Sequence, residues 1–508
     1  MKDDVLPRRR KRRERPTEDR GARYRQLRNP FPTMDAVSAD EARAIHEAAL
    51  DVLERLGVRV LLPEARALLH GGGAIVGGDH VLIGREMVEA ALAAAPRSYV
   101  LRGARPERDV RAELGTMSFQ PGAGAPHATD RIRGRRPGTL SDLRDLVRLT
   151  QAFDVLHMAV PSVEPQDVAP PVRHYAQTDL FLSASDKLPF VYARGSPQVE
   201  DAFEMIRLAR GLDADAFAAE AWCYTIINTN SPRTLDVPMA QGLIDFARAG
   251  QASVITPFTL MGAMAPITVA GAITLSHAEA LAALTVAQLA KPGAPVLYGT
   301  FTSNVDMGSG APVFGTPEHF KASLLAGQMA RLIGLPWRSA TGSAANLSDV
   351  QAAQETQAGL WGCLMAGATM TVHAAGWQEG GLTVGYEKLV QDVDLLETVA
   401  EMCRPVEASA DAIGLEAIEE VAPQGHFFAT QQTMARYATE FWRPRTYGYD
   451  NVGLWEERGG PTSTERATAV WQGILSAPEA EVLDGDRAEA MRAFARAREA
   501  EGGARPVS

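Results

Sequence analysis

The stretch PWRSATGSAANLSDVQAAQETQAGLWGCLMAGATMTVH, residues 336–373, decides the predicted fold. An apolar run leads into a loop of Gly, Ser, Ala and Asn, an Ala- and Leu-rich helical stretch follows, and a second apolar run begins. The same unit recurs on both sides, with runs that begin near Met117, Val155, Phe190, Trp222, Ser253, Pro295, Pro336 and Thr369. Eight such units, spaced by 31 to 42 residues, predict an α/β fold of the (β/α)8 TIM barrel type.

The predicted barrel occupies residues 115–404 of the 508-residue chain. Residues 1–33 are interpreted as a basic flexible arm, residues 34–114 as an α-rich N-terminal cap, and residues 405–508 as an aromatic-rich C-terminal extension. In the cap, Ser38 followed by Glu41 is a capping box, and it predicts a helix that ends at Gly57. We expect the extension to pack on the barrel or on a neighbouring subunit, and its polar last part, residues 486–508, to be a helix that frays into disorder.

The cysteine content and the apolar stretches of the chain indicate the cellular compartment in which it folds. Cys223, Cys363 and Cys403 are far apart in the sequence, which argues against a disulfide framework or structural zinc and favours the reducing cytoplasm. The longest apolar stretch, residues 255–290, is interrupted by Gly, Pro, Thr, Ser and His, so we expect a soluble protein with no membrane span.

The basic charge of the chain is concentrated at its start. Residues 1–28 carry a net charge of +7, which leaves −18 for the rest. The run of arginine and lysine at residues 8–13 could bind nucleic acid or an acidic protein surface by charge alone. Because the rest of the chain is acidic, we interpret this segment as a solvated or self-docking arm and expect no nucleic-acid partner.

Functional side chains of a TIM barrel lie at the carboxyl ends of its strands. Here the predicted strand ends carry amides, hydroxyls and rings, with few carboxylates and almost no lysine. This composition disfavours metal-dependent hydrolysis, glycoside hydrolysis and Schiff-base chemistry, and we expect neither a catalytic nucleophile nor a metal ligand. It suits a site that positions a substrate while a cofactor that the site residues do not themselves supply carries out the difficult chemical step. The predicted substrate-binding residues are His373, Trp377, His127, Phe258, Phe301, Glu164, Arg194, Asn228, Thr302 and Ser343.

Aromatic rings near several strand ends point to a cationic ligand. Phe119, Phe258, Tyr298, Phe301 and Trp377 lie near five different strand ends, and converging ring faces attract a quaternary ammonium above all. Tyr298 and Phe119 could instead point into the barrel layers or outward to the helices. His373, at the end of the last predicted strand, is either a hydrogen-bonded structural residue or a functional one.

Several strings in one order point to a known family. They are RNPF at 28–31, IHEAA at 45–49, APITVAGA at 265–272 followed by HAE at 277–279, KPGAPVLYG at 291–299, GTPE at 315–318, and WRP at 442–444 with Leu454, Trp455 and Gly459 beyond it. Together they resemble the trimethylamine methyltransferase (MttB-like) family over about residues 24–476.

The resemblance implies a barrel enzyme that moves a methyl group from a methylated amine to the Co(I) of a separate corrinoid protein. Cobalamin would then be presented by this partner and would not be bound covalently. Archetypal trimethylamine enzymes carry pyrrolysine in the loop after the seventh strand, whereas this loop, TGSAANLSD at 341–349, has only standard residues. Family members without pyrrolysine include glycine betaine methyltransferases, so a small quaternary amine is the predicted substrate. His127, Arg194 or His373 would bind a betaine carboxylate.

The resemblance and the aromatic tail also favour a homo-oligomer. Two other functions stay open at this point. One is methyl transfer from a different methylated compound, or directly to tetrahydrofolate. The other is a barrel without catalytic activity that binds an osmolyte.

Overall fold

The computed structural model describes residues 21–479 and 482–507, which form an α/β fold. The basic run at residues 8–13, on which the predicted flexible arm rests, lies outside the described residues. The N-terminal strands are β1 (Leu27–Arg28), β2 (Val58–Val60), β3 (Ile75–Gly77), β4 (His80–Leu82), β5 (Tyr99–Leu101) and β6 (Val110–Ala112). The helices between them are α1 (Ala39–Asp51), α2 (Pro63–Gly71) and α3 (Arg85–Ala94).

The predicted capping box at the start of α1 is confirmed. The Ser38 hydroxyl accepts the Glu41 backbone N–H, and the Glu41 side chain accepts the Ser38 backbone N–H. After α1 one π-helical turn leads to Gly57, whose φ of 65° ends the helix. The region 34–114 also contains five short strands. One of them, β2, matches the strand that the run VRVLL at residues 58–62 predicts, whereas β3 to β6 were missed, because three-residue strands such as β3 and β4 are too short to show an alternating pattern.

The central region contains sixteen strands and nine α-helices within the described part of the chain. The strands are β7 (Thr116–Phe119), β8 (His127–Thr129), β9 (Arg136–Pro137), β10 (Met158–Ala159), β11 (Leu188–Pro189), β12 (Tyr224–Ile227), β13 (Thr234–Leu235), β14 (Ala252–Ile255), β15 (Phe258–Met261), β16 (Val296–Gly299), β17 (Phe301–Val305), β18 (Pro312–Val313), β19 (Trp337–Ala340), β20 (Met370–Val372), β21 (Trp377–Gln378) and β22 (Thr383–Gly385). The helices are α4 (Leu140–Ala152), α5 (Pro170–Ser183), α6 (Ser196–Arg210), α7 (Ala214–Ala219), α8 (Val237–Ala249), α9 (Val269–Ala290), α10 (Pro317–Ile333), α11 (Val350–Ala366) and α12 (Tyr386–Met402).

Each of the eight predicted runs coincides with a strand. The strands β7, β10, β11, β12, β14, β16, β19 and β20 begin within three residues of the predicted starts. Local sequence explains the helices between them, since proline begins α5 and α10, and a left-handed glycine such as Gly334 or Gly367 ends α10 and α11.

Parallel pairing connects these strands. One sheet has the order β7-β20-β19-β16-β14-β12, with β1 antiparallel at its edge, and β10 pairs in parallel with β11. A parallel bridge between Phe190 and Tyr224 connects the β11 and β12 segments. The His157 backbone N–H donates to the Phe119 carbonyl at 2.9 Å, beside β7 and β10. Because the pairings are parallel, the carboxyl ends of these strands face the same side of the molecule.

Helix α9 is the one described helix whose length and composition would allow it to span a membrane. It has 22 residues, and 78% of its most apolar window is buried inside the fold. It packs against α1, α3, α8 and α10. Its apolar surface is therefore covered by protein, as in the core helix of a folded domain.

The C-terminal extension contains α13 (Ala410–Ile413), α14 (Leu415–Glu419), α15 (Gln431–Arg436), α16 (Val452–Glu457), α17 (Ser463–Ser476) and α18 (Gly485–Ala500). Helix α17 packs on α12, where the buried Trp471 donates its Nε1–H to Glu387 at 2.9 Å. Helix α18 packs on α6. The prediction that this end frays is wrong for residues 503–507, because Ala504 and Val507 are hydrogen-bonded to residues at the beginnings of α5 and α6.

Candidate active site

A cavity of about 500 Å³ opens at the carboxyl ends of the parallel strands. It brings together six of the ten predicted site residues. They are Arg194, Asn228, Phe258, Phe301, His373 and Trp377. The other lining residues are Ala123, Gly124, Pro126, Phe190, Tyr192, Ala193, Ile226, Met239, Arg338, Gly380, Gly381 and Leu382.

The other four predicted residues lie outside this lining. Glu164 is one step behind it, paired with Arg194, and His127 touches the Leu382 carbonyl through Nδ1 at 3.2 Å. The hydroxyl of Thr302 is buried 2.5 Å from that of Thr300. Ser343 donates its hydroxyl to Glu355 at 2.7 Å. All four therefore contact neighbouring protein groups.

One wall of the cavity is a cluster of aromatic rings. Phe301 is at its centre, with ring centroids 5.2 Å from Phe258, 5.2 Å from Phe314 and 5.8 Å from Trp377. The His373 imidazole stacks on the Trp377 indole at 4.5 Å. These rings come from segments after several different strands, because parallel strands bring their ends together at one edge. Their faces offer a surface suited to a desolvated cation.

His373 occupies this wall in a strained backbone conformation. It follows β20 with a φ of 58°, a left-handed value that costs a residue with a side chain of this kind about 1–3 kcal/mol. Burial, and then the nearby Arg338 guanidinium, lower the pKa of His373 well below its usual range. The imidazole is therefore neutral near pH 7, so it does not repel a cationic ligand.

Arg338 lies on β19 and is 1% exposed. Its Nη1 donates to the Thr256 hydroxyl at 2.8 Å and to the Thr300 carbonyl at 3.0 Å, while its Nε has no hydrogen-bond acceptor among the described residues. No carboxylate in residues 21–479 or 482–507 forms an ion pair with it. Burial lowers the pKa of Arg338 to about 9, so the group stays charged at pH 7. A buried, uncompensated guanidinium favours an anionic ligand.

A second arginine, Arg194, also lines the cavity, and it is paired with a carboxylate. The Arg194 guanidinium lies 4.1 Å from the centre of the Tyr192 ring, and its Nη2 is 3.1 Å from Glu164 Oε1. The other Glu164 oxygen lies 3.5 Å from Arg173 on α5. This corner is fixed by ion pairs within the chain, whereas the Arg338 guanidinium has no carboxylate partner among the described residues and lies 5.1 Å from the centre of the Phe301 ring.

The loop at 341–349 closes the cavity wall through one carboxylate. Glu355 Oε2 on α11 accepts the Ser343 hydroxyl at 2.7 Å and the backbone N–H groups of Ala344 at 2.9 Å and Ala345 at 3.2 Å. The Ser343 carbonyl in turn accepts the N–H of the lining residue Gly380 at 3.0 Å. Glu355 therefore orders this loop and, through it, the segment at the mouth.

The charged end of the cavity, at Arg338, is buried, whereas the residues at its opening are exposed. Arg338 is bound to groups at the ends of β14 and β16 and is almost fully buried. Gly124 and Leu382, on loops beyond the strands, are exposed. A ligand anchored at Arg338 would therefore point its other end toward the mouth.

The sequence interpretation missed Arg338, the buried arginine of the cavity lining whose Nε has no hydrogen-bond acceptor among the described residues. Its signal was an arginine in the middle of the apolar run that begins at Pro336. Tyr298 does not join the ring wall, because its hydroxyl lies 2.9 Å from His277 Nδ1 on α9, and Phe119 packs in the core beneath. No sequence pattern pointed to Phe314 as part of the ring wall, since it lies in a loop whose path depends on tertiary contacts.

The family model described as trimethylamine methyltransferase (MTTB) matches residues 7–503. The chain belongs to the trimethylamine methyltransferase family. The resemblance seen in the sequence strings is thereby confirmed, and methyl transfer is the function class of the chain.

Individual relatives of this family member extend over most of its length. The glycine betaine methyltransferase of Desulfitobacterium hafniense (strain Y51) is 30% identical over 466 residues, which cover 91% of this chain and 97% of that protein. The trimethylamine methyltransferase MttB of D. hafniense (strain DSM 10664 / DCB-2) is 26% identical over 409 residues, covering 79% of this chain and 82% of that protein.

Two solved structures are similar at low identity. The hydroxylamine complex of MtmB covers 90% of this family member and 92% of its own chain, at 11% identity and a TM-score of 0.47. The monomethylamine methyltransferase (MtmB) of Methanosarcina barkeri covers 92% and 96%, at 10% identity and a TM-score of 0.46.

Proposed function

We propose that this family member takes a methyl group from a zwitterionic quaternary amine of the glycine betaine type and transfers it to the Co(I) corrinoid of a separate protein. The observation that carries the proposal is the unpaired, buried guanidinium of Arg338 beside a wall of aromatic rings. A betaine has one group for each feature, a carboxylate for the arginine and a quaternary ammonium for the rings.

Arg338 favours a carboxylate-bearing substrate over a plain amine. A buried cation without a counter-ion is unfavourable, and a bound carboxylate would compensate it through charge-assisted hydrogen bonds. Choline and trimethylammonium would bring a second positive charge with no such compensation. The carboxylate partner proposed here is therefore Arg338, in place of His127, Arg194 or His373.

The ammonium end would lie against Phe301, His373 and Trp377. Neutral His373 adds ring surface without charge, and the indole gives the strongest cation–π attraction of any side chain. The other lining residues predicted from the sequence, Phe258 and Asn228, would complete this envelope.

With the carboxylate at the floor, an N-methyl group points toward the mouth. The corrinoid is a co-substrate carried by the partner, and it supplies the nucleophile for the methyl carbon. The C–N bond breaks, its electron pair stays on nitrogen, and a neutral tertiary amine leaves, so no residue needs to protonate it. The chain contributes orientation and exclusion of water.

The surface around the cavity mouth is suited to docking of a large, partly apolar protein. Ile267, Met307, Leu347 and Leu382 are 68%, 68%, 70% and 55% exposed on loops beyond the strand ends. Exposed apolar residues in one region are typical of a protein-binding surface. We propose this rim as the docking site of the corrinoid protein.

We also infer that the eight parallel strands close into a (β/α)8 barrel. Support comes from the six-strand parallel order, the β10–β11 pair, the bridge at Phe190 and Tyr224, and the hydrogen bond from His157 to Phe119, which together connect every strand to two neighbours. The domain limits 115–404 for the barrel and 405–508 for the extension follow from this inference.

A homo-oligomer is proposed through the extension. Residues 405–460 carry exposed apolar side chains, among them Phe428 at 80% and Tyr449 at 77%, and such a surface is unfavourable in water unless another subunit covers it. The cytoplasmic location stays a prediction from the three cysteines, which are buried and unpaired.

The test is a substrate panel with purified protein and chemically reduced cobalamin. We expect glycine betaine to lose one methyl group, seen by proton NMR of the amine and by the absorption spectrum of the corrinoid, and choline and trimethylamine to react at least tenfold more slowly. Equal rates with choline would contradict the role of Arg338.

The same panel separates the alternatives. Transfer to tetrahydrofolate without any corrinoid would favour the direct route. Calorimetric binding of betaine with no transfer to free cobalamin or to corrinoid proteins would favour an osmolyte-binding protein.

A further inference from the structure

Residues 503–507, here called the strap, leave α18 and run across the beginnings of two central helices. The Ala504 N–H donates to the Pro171 carbonyl at 2.9 Å, and Gln198 Nε2 donates to the Ala504 carbonyl at 2.8 Å. The Val507 N–H then donates to the carbonyl of Arg194, again at 2.9 Å. The strap thus reaches a residue that lines the cavity.

The contact at Arg194 includes side-chain packing. Gly195 has a φ of 112°, and a Cβ built there would lie 2.7 Å from Val507 Cγ2. A side chain at position 195 would therefore push the strap away. Glycine at this position permits both the backbone conformation and the close approach.

The strap connects the beginnings of α5 and α6, where the two arginines that contact Glu164 lie. Pro171 lies in the first turn of α5, which carries Arg173, and Arg194 precedes α6. Arg173 and Arg194 are the two cations that face the Glu164 carboxylate, at 3.5 Å and 3.1 Å. By fixing the beginnings of both helices, the strap fixes the spacing of this charged corner.

We propose that the strap is a positioning element of the active site, acting through Arg194. Held in place, the corner formed by Arg173, Arg194 and Glu164 has two guanidinium groups and one carboxylate, so its net charge is positive and disfavours the ammonium end of the substrate beside it. The substrate is then confined to the orientation with its ammonium on the rings and its carboxylate at Arg338. This part of the inference rests on the proposed function, whereas the mechanical role of the strap does not.

Two neighbouring glycines provide a matched pair of variants. Gly503 has a φ of 70°, and a Cβ there would lie 2.5 Å from the Pro171 carbonyl oxygen. Gly502 has a φ of 103°, and a Cβ there meets no described atom within 4 Å. Both Gly503→Ala and Gly502→Ala strain the backbone, but only the first displaces the strap from α5.

The experiment compares the two variants in the full-length protein by peptide-level hydrogen exchange and by betaine demethylation. We expect Gly503→Ala to accelerate exchange in residues 194–199 and to raise KM for glycine betaine several-fold with a smaller change in kcat. Gly502→Ala should match the wild type in both. In the wild type, saturating betaine should slow exchange of the Val507 amide, because coupling between the site and the strap is reciprocal.

Unchanged exchange and KM in Gly503→Ala, equal effects in both variants, or no response of Val507 to betaine would each overturn the coupling. If the wild type neither binds nor demethylates betaine, the proposed substrate is wrong. In that case the mechanical role of the strap is tested by hydrogen exchange alone, from the rates of residues 194–199 in the two variants and the wild type.

Discussion

The imidazole of His373 and the indole of Trp377 are stacked, with centroids 4.5 Å apart and planes inclined by 18°. The two residues are four apart in the sequence but follow a strand end, so the stack depends on the left-handed backbone of His373. It presents one continuous, uncharged ring surface to the cavity.

Replacing the indole should weaken binding of the cationic end. For Trp377→Leu we expect the Kd of glycine betaine, measured by calorimetry, to rise about 10- to 30-fold, the equivalent of about 1.4–2 kcal/mol for a desolvated cation–π contact. The control ligand is 3,3-dimethylbutanoate, which has the shape of betaine without its positive charge. An equal loss for this ligand, whose tert-butyl end is uncharged and whose carboxylate is kept, would show that shape alone determines the effect.

Arg338 should determine recognition of the carboxylate. In Arg338→Met we expect the affinity for glycine betaine to fall about 10- to 100-fold, since a charge-assisted hydrogen bond contributes roughly 1.5–3 kcal/mol. The variant also loses an uncompensated buried cation, so thermal unfolding should show no large loss of stability. Choline, which lacks the carboxylate, should bind the variant at least as well as the wild type. A parallel loss of choline binding would contradict the assignment.

Glu355 should control order at the mouth. In Glu355→Ala the hydroxyl of Ser343 and the two backbone N–H groups lose their acceptor, which should lower the free energy of unfolding by about 2 kcal/mol. Hydrogen exchange at Gly380, whose N–H is bound to the Ser343 carbonyl, should accelerate. The control is Gln351→Ala, which removes a neighbour of the other Glu355 oxygen and should leave the loop ordered.

Buried histidines should make the protein less stable in mild acid. Burial lowers the pKa of His277 to about 3 and the pKa of both His157 and His319 to about 4. Below about pH 6.5 the unfolded chain binds protons that the folded chain does not, so the free energy of unfolding falls as pH decreases, by about 1.4 kcal/mol per pH unit for each group. This stability is fully present above about pH 6.5.

Urea unfolding at about pH 7.5 and pH 5.5 measures this dependence. A His277→Gln variant should show a smaller decrease than the wild type, because one of the proton-linked groups is gone. Equal stability at both values would mean that these side chains take up protons in the folded state.

The extension should be required for self-association. We expect light scattering to find a species larger than one chain, and Phe428→Asp to reduce its size, because a charge would enter an apolar interface. Ile75→Asp is the matched control, since Ile75 is 70% exposed on β3, which pairs with β4 in the N-terminal region. A wild-type monomer, or equal dissociation by both variants, would contradict this assignment.

The sequence predicted the strands well because each central strand is a run of apolar residues bounded by loop residues. Runs such as the one at Pro295 match strands within one to three residues. The short strands β3 to β6 of the N-terminal region escaped prediction, because a pair like β3 and β4 depends on its neighbours for stability. The end after α18 was also misjudged, because its few residues are ordered by distant acceptors such as the Arg194 carbonyl.

For the site, the position of a residue along its strand predicted that it lies near the cavity, but it did not predict whether its side chain points into the cavity. Phe301 and Trp377 line the cavity and Tyr298 does not, since the side of the strand to which each ring points depends on packing with helices such as α9. Ser343 and Thr302 follow strands as expected, yet their hydroxyls bond to protein groups. Arg338 was overlooked because it lies within a strand, one residue after Trp337, and not in the loop beyond it.

The left-handed backbone at His373 has a consequence for engineering. Glycine and asparagine adopt this conformation with less strain than histidine, so heat-based selection would favour them there while removing the imidazole from the indole. Libraries intended to make this protein more heat-resistant should therefore leave position 373 unvaried if the stack of His373 on Trp377 is to be kept.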